Sequence, residues 1–368
     1  MTDAAISKFL IITINHSNAG FFAYVNFVLN QLLYGEAHGY VPVVFFGKHS
    51  VDGPNAYYDP AHGENMWDYY FEPVAGYTYS DIEARLADPR DPLTAADVHR
   101  LSVDKLRDLL ERCPGSVYAY PHGHFKDKID YDEAWYREQR EKANRLIRQY
   151  IRVKPHVLSK VDAFYQTYFA GQRVLGVQIR GTDKGTANSH PKLMRIIKPA
   201  QYFPFIDRYT KQHGPCKIFV ATDQAQFLNE MRDRYGDRII SLPATRSHSS
   251  LATFNVNYTA TGNYAKGEEV LIDCLLLSRC DYLLKCTSAV GEFAIYFNPA
   301  IGSQDLNYID DPRPWLTAIN VKYLKPFMLY LNGFTAARKT DLRKAFRYCE
   351  RRARSFMGIS RRRPPFGE

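Results

Sequence analysis

The sequence predicts an α/β protein built as two doubly wound halves. Short apolar runs that read as buried strands alternate with helical stretches. The alternation starts twice, once at Phe9 and again at Val174. The chain of 368 residues, 45% of them apolar, is long enough for two domains of ~150 residues each plus extras.

The elements follow in order. Phe9 to Ile14 (FLIITI) is short, β-branched and apolar, so it predicts a buried strand. Asn15 to Gly20 is a turn cluster. Phe21 to Gly35 then predicts a helix, with Phe22, Val25, Phe27, Val28, Leu32 and Leu33 apolar, and Tyr40 to Phe46 a second strand. Strand, turn, helix and strand make a βαβ unit with parallel strands. Residues 52 to 80 read as loop, 101 to 112 as helix, Tyr118 to Phe125 as strand end and loop, and 132 to 169 as helical with a break near Pro155. From Val174 come the strand VLGVQIR, a helix near 200 to 212, the strand Lys217 to Thr222, a helix over QFLNEMRDRYG and the strand RIISL. A polar loop over 243 to 266 leads to the helix GEEVLIDCLLLSRC, the strand DYLLKC and the helix SAVGEFAIYF. The expected organisation is therefore a Rossmann-like domain over 1–165, a second over 166–330, and a tail over 331–368.

Charge and cysteine usage narrow the function classes. The formal net charge is +9, yet residues 338 to 368 hold eleven Lys and Arg against three Asp and Glu, which leaves the body near +1. A nucleic-acid binder carries its positive charge on a folded face; this chain carries it on a tail. In that tail Leu342, Ala345, Phe346, Cys349, Ala353 and Phe356 share one helical face and arginines crowd the rest. Such a basic amphipathic helix suits peripheral contact with a membrane surface, the alternative being a helix packed across the domains. The six cysteines include no C-x-x-C pair, so a zinc site is not expected. No secretory signal and no 18-residue apolar run is visible, and the expected compartment is the cytoplasm.

The chemistry gathers at strand ends. Ligands of open α/β sheets bind outside the carboxyl ends of the strands, and VLGVQIR ends there on Arg180-Gly181-Thr182-Asp183-Lys184. Arg180 offers a planar fork to a phosphate. Gly181 permits close approach, Thr182 adds a hydroxyl and Lys184 a point charge. Asp183 either orients a cation or accepts a proton. A second strand ends on Thr222-Asp223, a third on Cys286-Thr287-Ser288. Ser288 has the character of an N-cap, whose helix start attracts anions. Arg180 and that helix start would together hold a diphosphate.

With these residues in place, GVQIRGTDK, VATD and D…LLLSRCDYLLKCTSAVGEFA resemble, in that order, the three motifs of the fucosyltransferase superfamily, which includes α1,6- and protein O-fucosyltransferases. The resemblance covers residues 174 to 300 well. It implies the GT-B arrangement of two Rossmann-like domains facing a cleft, GDP-fucose as donor, inversion at the anomeric carbon, a glycan acceptor and no metal. It puts the phosphate-binding Arg on Arg180, the guanine-holding Asp on Asp273 and the conserved Ser of the last motif on or near Ser288, where Lys285 is an extra residue. Gln178, Gly181, Thr182, Lys184, Thr222, Asp223 and Thr287 complete the donor-side set. The chain departs from the pattern at Gln178, where the family usually has His, at Gly181, the second Arg of the α1,6 members, and at Gly185 to Asn188, where their carboxylate is missing. Asp183 is the candidate base, with Arg180 the cation that meets the leaving group. Another nucleotide sugar on the same scaffold and a non-catalytic binder are the alternative readings.

The N-terminal half offers less. Gly20 lies in the first strand-to-helix turn and would admit the donor. Trp67, Tyr69 and Tyr70 read as loop residues that either stack on acceptor sugars or pin the loop to the core. His122 and His124 are spare base candidates. The only D-x-D, Asp130 and Asp132, precedes a helix and suits its first turn better than a metal.

Overall fold

The computed structural model describes residues 8–14, 19–49, 53–111, 117, 133–181, 196–248 and 262–308. These form two parallel sheets. In the first, β1 (Phe9–Ile12) lies between β2 (Val41–Val44) and β3 (Val98–His99). β1 is completely buried. The helix α1 (Phe21–His38) links it to β2, as the apolar spacing requires.

The second sheet contains β4 (Val174–Ile179), β5 (Lys217–Thr222), β6 (Ile239–Ile240), β7 (Tyr282–Lys285) and β8 (Gly302–Asp305) in the order β6-β5-β4-β7-β8, all parallel. Four helices alternate with them: α7 (Pro199–His213), α8 (Ala225–Tyr235), α9 (Gly262–Leu277) and α10 (Ala289–Phe297). Strand side chains alternate between the faces. Leu175, Val177, Ile218 and Val220 meet α7 and α8 on one, while Val174, Phe219 and Ala221 join α9 and α10 on the other. Both faces are covered, which is why the strands read as continuous apolar runs. The order reverses at β4: β5 and β6 lie on one side, β7 and β8 on the other. The carboxyl ends of β4 and β7 are therefore the switch point of a doubly wound sheet, where ligands of such sheets bind.

The remaining helices are α2 (Trp67–Tyr70), α3 (Tyr79–Ala87), α4 (Val103–Glu111), α5 (Glu133–Tyr150) and α6 (Pro155–Tyr168). The stretch 52–80 is less loop-like than its composition suggests. Asn65 takes the Phe46 and Trp67 N–H groups and starts α2, and Thr78 with Asp81 forms a reciprocal cap that starts α3. The expected boundary at 165/166 falls inside α6, so the break between the two alternations comes after Tyr168. Helices from the first stretch also serve the second sheet. α5 packs on α10 and α6 on α9, and α1 reaches α10 through Phe22 and Phe293, ring centroids 4.7 Å apart. One apolar cluster runs from Leu10 to Ile301. Among the described residues no helix is long and apolar enough to cross a membrane. The basic tail lies outside the described residues.

Candidate functional site

The switch point is built from strand ends. β4 ends next to Arg180, whose Nε is 3.3 Å from Asp223 Oδ2 just past β5. The Gly181 N–H donates to Asp223 Oδ1 at 2.9 Å. One carboxylate thus fastens the backbone and the guanidinium of the β4 terminus. Gly181 is needed for that approach: a Cβ there would come within 2.6 Å of Phe227 and 2.7 Å of Gln224. The closeness glycine allows is to α8. Thr222 is buried, and its Oγ1 accepts the Gln224 N–H.

Past β7 Ser288 caps α10, accepting the Gly291 N–H at 3.3 Å. Its hydroxyl donates to Gln178 Oε1 at 2.9 Å, and the Cys286 thiol reaches the same oxygen. Gln178 is 3% exposed, so in this structure its amide oxygen ties β4 to the start of α10 from below. Thr287 is held from both ends: its N–H donates to Asn307 Oδ1 and its hydroxyl to Asp305 Oδ2. Arg180 after β4 and the capped start of α10 after β7 place at the ends of two adjacent strands two features that favour an anion.

Beneath α10 lies a cluster that sequence reading missed. Lys285 Nζ is 2.7 Å from Asp305 Oδ2 and 2.8 Å from Glu292 Oε1. Glu292 receives Arg140 of α5 through two bonds of 3.0 and 2.9 Å. Burial works against each charge, but the partners win. Asp305 and Glu292 hold the Lys285 pKa above its ordinary value, and Lys285 and Arg140 hold that of Glu292 below its own. A signal existed: a lysine in the strand YLLK and a glutamate in the helix AVGEFAIYF are charges where both surroundings are apolar.

Asp273 sits on α9, 9% exposed, and burial pushes its carboxyl up to about 7. Arg246, in the segment after β6, opposes that rise and Glu269 adds to it. Asp273 Oδ1 has no hydrogen-bond partner among the described residues. Sequence reasoning did not find Arg246, because nothing in LPATRSHS marks it.

The N-terminal candidates fare differently. Among the described residues a Cβ at Gly20 would meet nothing within 4 Å. Trp67, Tyr69 and Tyr70 correct an expectation: they lie in α2 at 1%, 4% and 0% exposure, not in a loop. Trp67 Nε1–H donates to Glu72 O, the Tyr69 hydroxyl to Gly63 O, and the Tyr70 hydroxyl to Tyr264 O at the start of α9. Their faces are packed in the core and offer a sugar nothing to stack on. A Cβ at Gly267 would collide with the Tyr70 ring, so this seam between the two halves is tight. Thr182, Asp183, Lys184, His122, His124, Asp130 and Asp132 lie outside the described residues. Among the described residues no three His, Cys, Asp or Glu side chains gather as metal ligands.

Comparison with known proteins follows the same pattern. Residues 64–292 match the family described as α-(1,6)-fucosyltransferase N- and catalytic domains. Nodulation protein Z of Bradyrhizobium diazoefficiens is 25% identical over 173 residues, 45% of this chain and 46% of that one. Its counterpart in Sinorhizobium fredii is 23% identical over 180 residues, 45% and 52% of the two chains. The chain thus spans about half the length of the curated relatives it matches. Of the solved structures, NodZ α-1,6-fucosyltransferase soaked with GDP-fucose aligns over 83% of this chain and 100% of its own, at 19% identity and a TM-score of 0.46. A likeness at that score carries no structural inference.

Proposed function

The chain belongs to the family of α-(1,6)-fucosyltransferase N- and catalytic domains, and from that premise we propose that it transfers fucose from GDP-fucose to a hydroxyl of a glycan acceptor, with inversion, on a GT-B scaffold. The observation that carries this reading is Arg180 at the carboxyl end of β4, next to β7, the strand that leads into the Ser288-capped start of α10.

The chemistry asks for little beyond that pair. The acceptor oxygen attacks the anomeric carbon of fucose while the bond from that carbon to the β-phosphate oxygen breaks. Negative charge grows on the departing GDP. Arg180 and the α10 N-terminus stabilise it, so no divalent metal is required. Asp223 keeps the guanidinium aimed. Asp183 takes the acceptor proton, Thr182 and Lys184 add to the phosphate contacts, and Asp273 receives the guanine. Cys216, Cys274, Cys280 and Cys286 are buried and unbridged, in keeping with a reducing compartment such as the cytoplasm. The basic tail brings the enzyme to anionic membrane surfaces. Retention of the full chain on anionic liposomes at low salt, with release at high salt, is the expected result; indifference to them removes this assignment.

A thermal-shift series with GDP, UDP and CMP tests the donor. GDP at 100 times its dissociation constant should add ~2.7 kcal/mol of stability. A larger effect of UDP or CMP moves the reading to another nucleotide sugar. Transfer from GDP-fucose should survive EDTA, and Arg180→Ala should lower the rate by ~10²–10³-fold with the melting curve intact. Near-normal turnover in that variant would remove Arg180 from the mechanism.

A further inference from the structure

Asp273 Oδ1 and Arg246 Nε are both sealed from solvent, and among the described residues neither has a hydrogen-bond partner. They are an acceptor and a donor, each side chain shifts the titration of the other, and no hydrogen bond or ion pair joins them. Arg246 is otherwise spoken for. Its Nη1 donates to Ala244 O at 3.0 Å and its Nη2 to Leu242 O at 2.8 Å, which fixes the guanidinium and leaves Nε–H as the donor to be placed. The segment that carries it is pinned to two neighbours. Thr245 N–H donates to Glu269 on α9, one turn before Asp273. Ser247 N–H donates to the carbonyl of Asp223, the residue whose carboxylate holds Arg180.

A buried donor and a buried acceptor left open each carry an unrecovered desolvation cost. A planar ring edge with an N–H next to a carbonyl satisfies both at once. We propose that Arg246 is a base-reading residue of the donor site, its Nε–H donating to O6 of guanine while the Asp273 carboxylate receives the N1–H and the 2-amino group. This rests on the GDP-fucose reading and goes beyond it by assigning the second half of base recognition to a residue outside the three sequence motifs. The base enters by parting residues 243–248 from α9, a seam spanned by the exposed Thr245–Glu269 bond.

Titration calorimetry with GDP and 6-thio-GDP isolates the contact, because sulfur at position 6 weakens the acceptor and leaves N1–H and the 2-amino group in place. The wild-type chain should bind 6-thio-GDP about 10- to 100-fold more weakly. Arg246→Lys keeps the charge and removes Nε–H. It should weaken GDP by a similar factor and bind the sulfur analogue no worse than GDP. Equal wild-type binding of GDP and 6-thio-GDP overturns the inference without any variant. A preference for GDP over its sulfur analogue that survives Arg246→Lys also overturns it, and leaves the GDP-fucose reading standing. Equal wild-type binding of GDP, ADP and UDP overturns both.

Discussion

Two polar clusters beside the five-stranded sheet follow opposite rules. Under α10, Lys285, Glu292, Asp305 and Arg140 bring two positive and two negative charges into mutual contact, and Thr287 and Asn307 take up further oxygen sites. Beside α9, Asp273 and Arg246 each keep a polar atom without a partner among the described residues. Burial is deep in both, so burial does not separate them; saturation does. A saturated cluster has no capacity for a ligand and acts as a fastening. An unsaturated one carries a standing cost that a ligand can remove.

The largest effect is expected from breaking the saturated cluster. Glu292→Ala leaves Lys285 and Arg140 facing each other without their shared carboxylate, which should cost ~3–5 kcal/mol. The urea midpoint reads this directly. Saturating GDP should stabilise variant and wild type equally, because Glu292 is already paired with Lys285 and Arg140. A variant that GDP rescues preferentially would erase the distinction between the two clusters.

Asp273→Asn sharpens the comparison from the other side. Burial first, with Glu269 adding and Arg246 opposing, raises the Asp273 carboxyl from 3.8 to about 7. The folded chain therefore holds this proton to higher pH than the unfolded chain does. Stability from this residue is fully present below about 4 and is lost as pH rises toward about 7, at ~1.4 kcal/mol per pH unit within the window. Subtracting Asp273→Asn from wild type across that window should give this slope, and a flat difference would place the carboxyl in a wetter setting. Cys274, next along α9, stays protonated throughout, its own pKa raised by burial and by Asp273.

The smallest effect is expected at the seam between the clusters. Ser288→Ala removes the α10 cap and the bond to Gln178, for ~1 kcal/mol by thermal melting. A loss well above that would mean that Gln178 cannot be re-satisfied and belongs with the saturated set.

How much of this was legible depends on where the apolar surface is. β4, β5 and β7 were readable because both faces are covered and most of their positions are apolar. β8 is Gly-Ser-Gln-Asp, an edge strand whose place is set by β7 beside it, so its own sequence shows no period. α2 escaped because four residues cannot display a helical repeat and Asn65, outside the helix, does the starting. The strand-end candidates Arg180, Asp223 and Ser288 come together because parallel strands deliver their termini to one edge. Arg246 was out of reach: its relation to Asp273 comes from a loop folding over α9, and no local pattern encodes that. Trp67, Tyr69 and Tyr70 show the converse. Aromatic richness in a Gly- and Pro-rich stretch fits a sugar platform and a core anchor alike, and what decides for the core is Tyr264 on a distant helix against Tyr69 and Tyr70 and Phe46 and Phe71 against Trp67.

The seating of α5 on α10 has a consequence in time. Arg140 and Glu292 are 152 residues apart. α5 meets α1 through Arg145 and Glu36, but at a synthesis rate of ~5–20 residues per second it has no α10 to pack on for roughly 8–30 s after it is made. During that interval the apolar face of α5, with Ala143, Leu146 and Ile147, has no α10 to close over it. The side of α5 that α10 covers waits as open surface. A nascent chain with this connectivity depends on whatever shields such a face until α10 arrives.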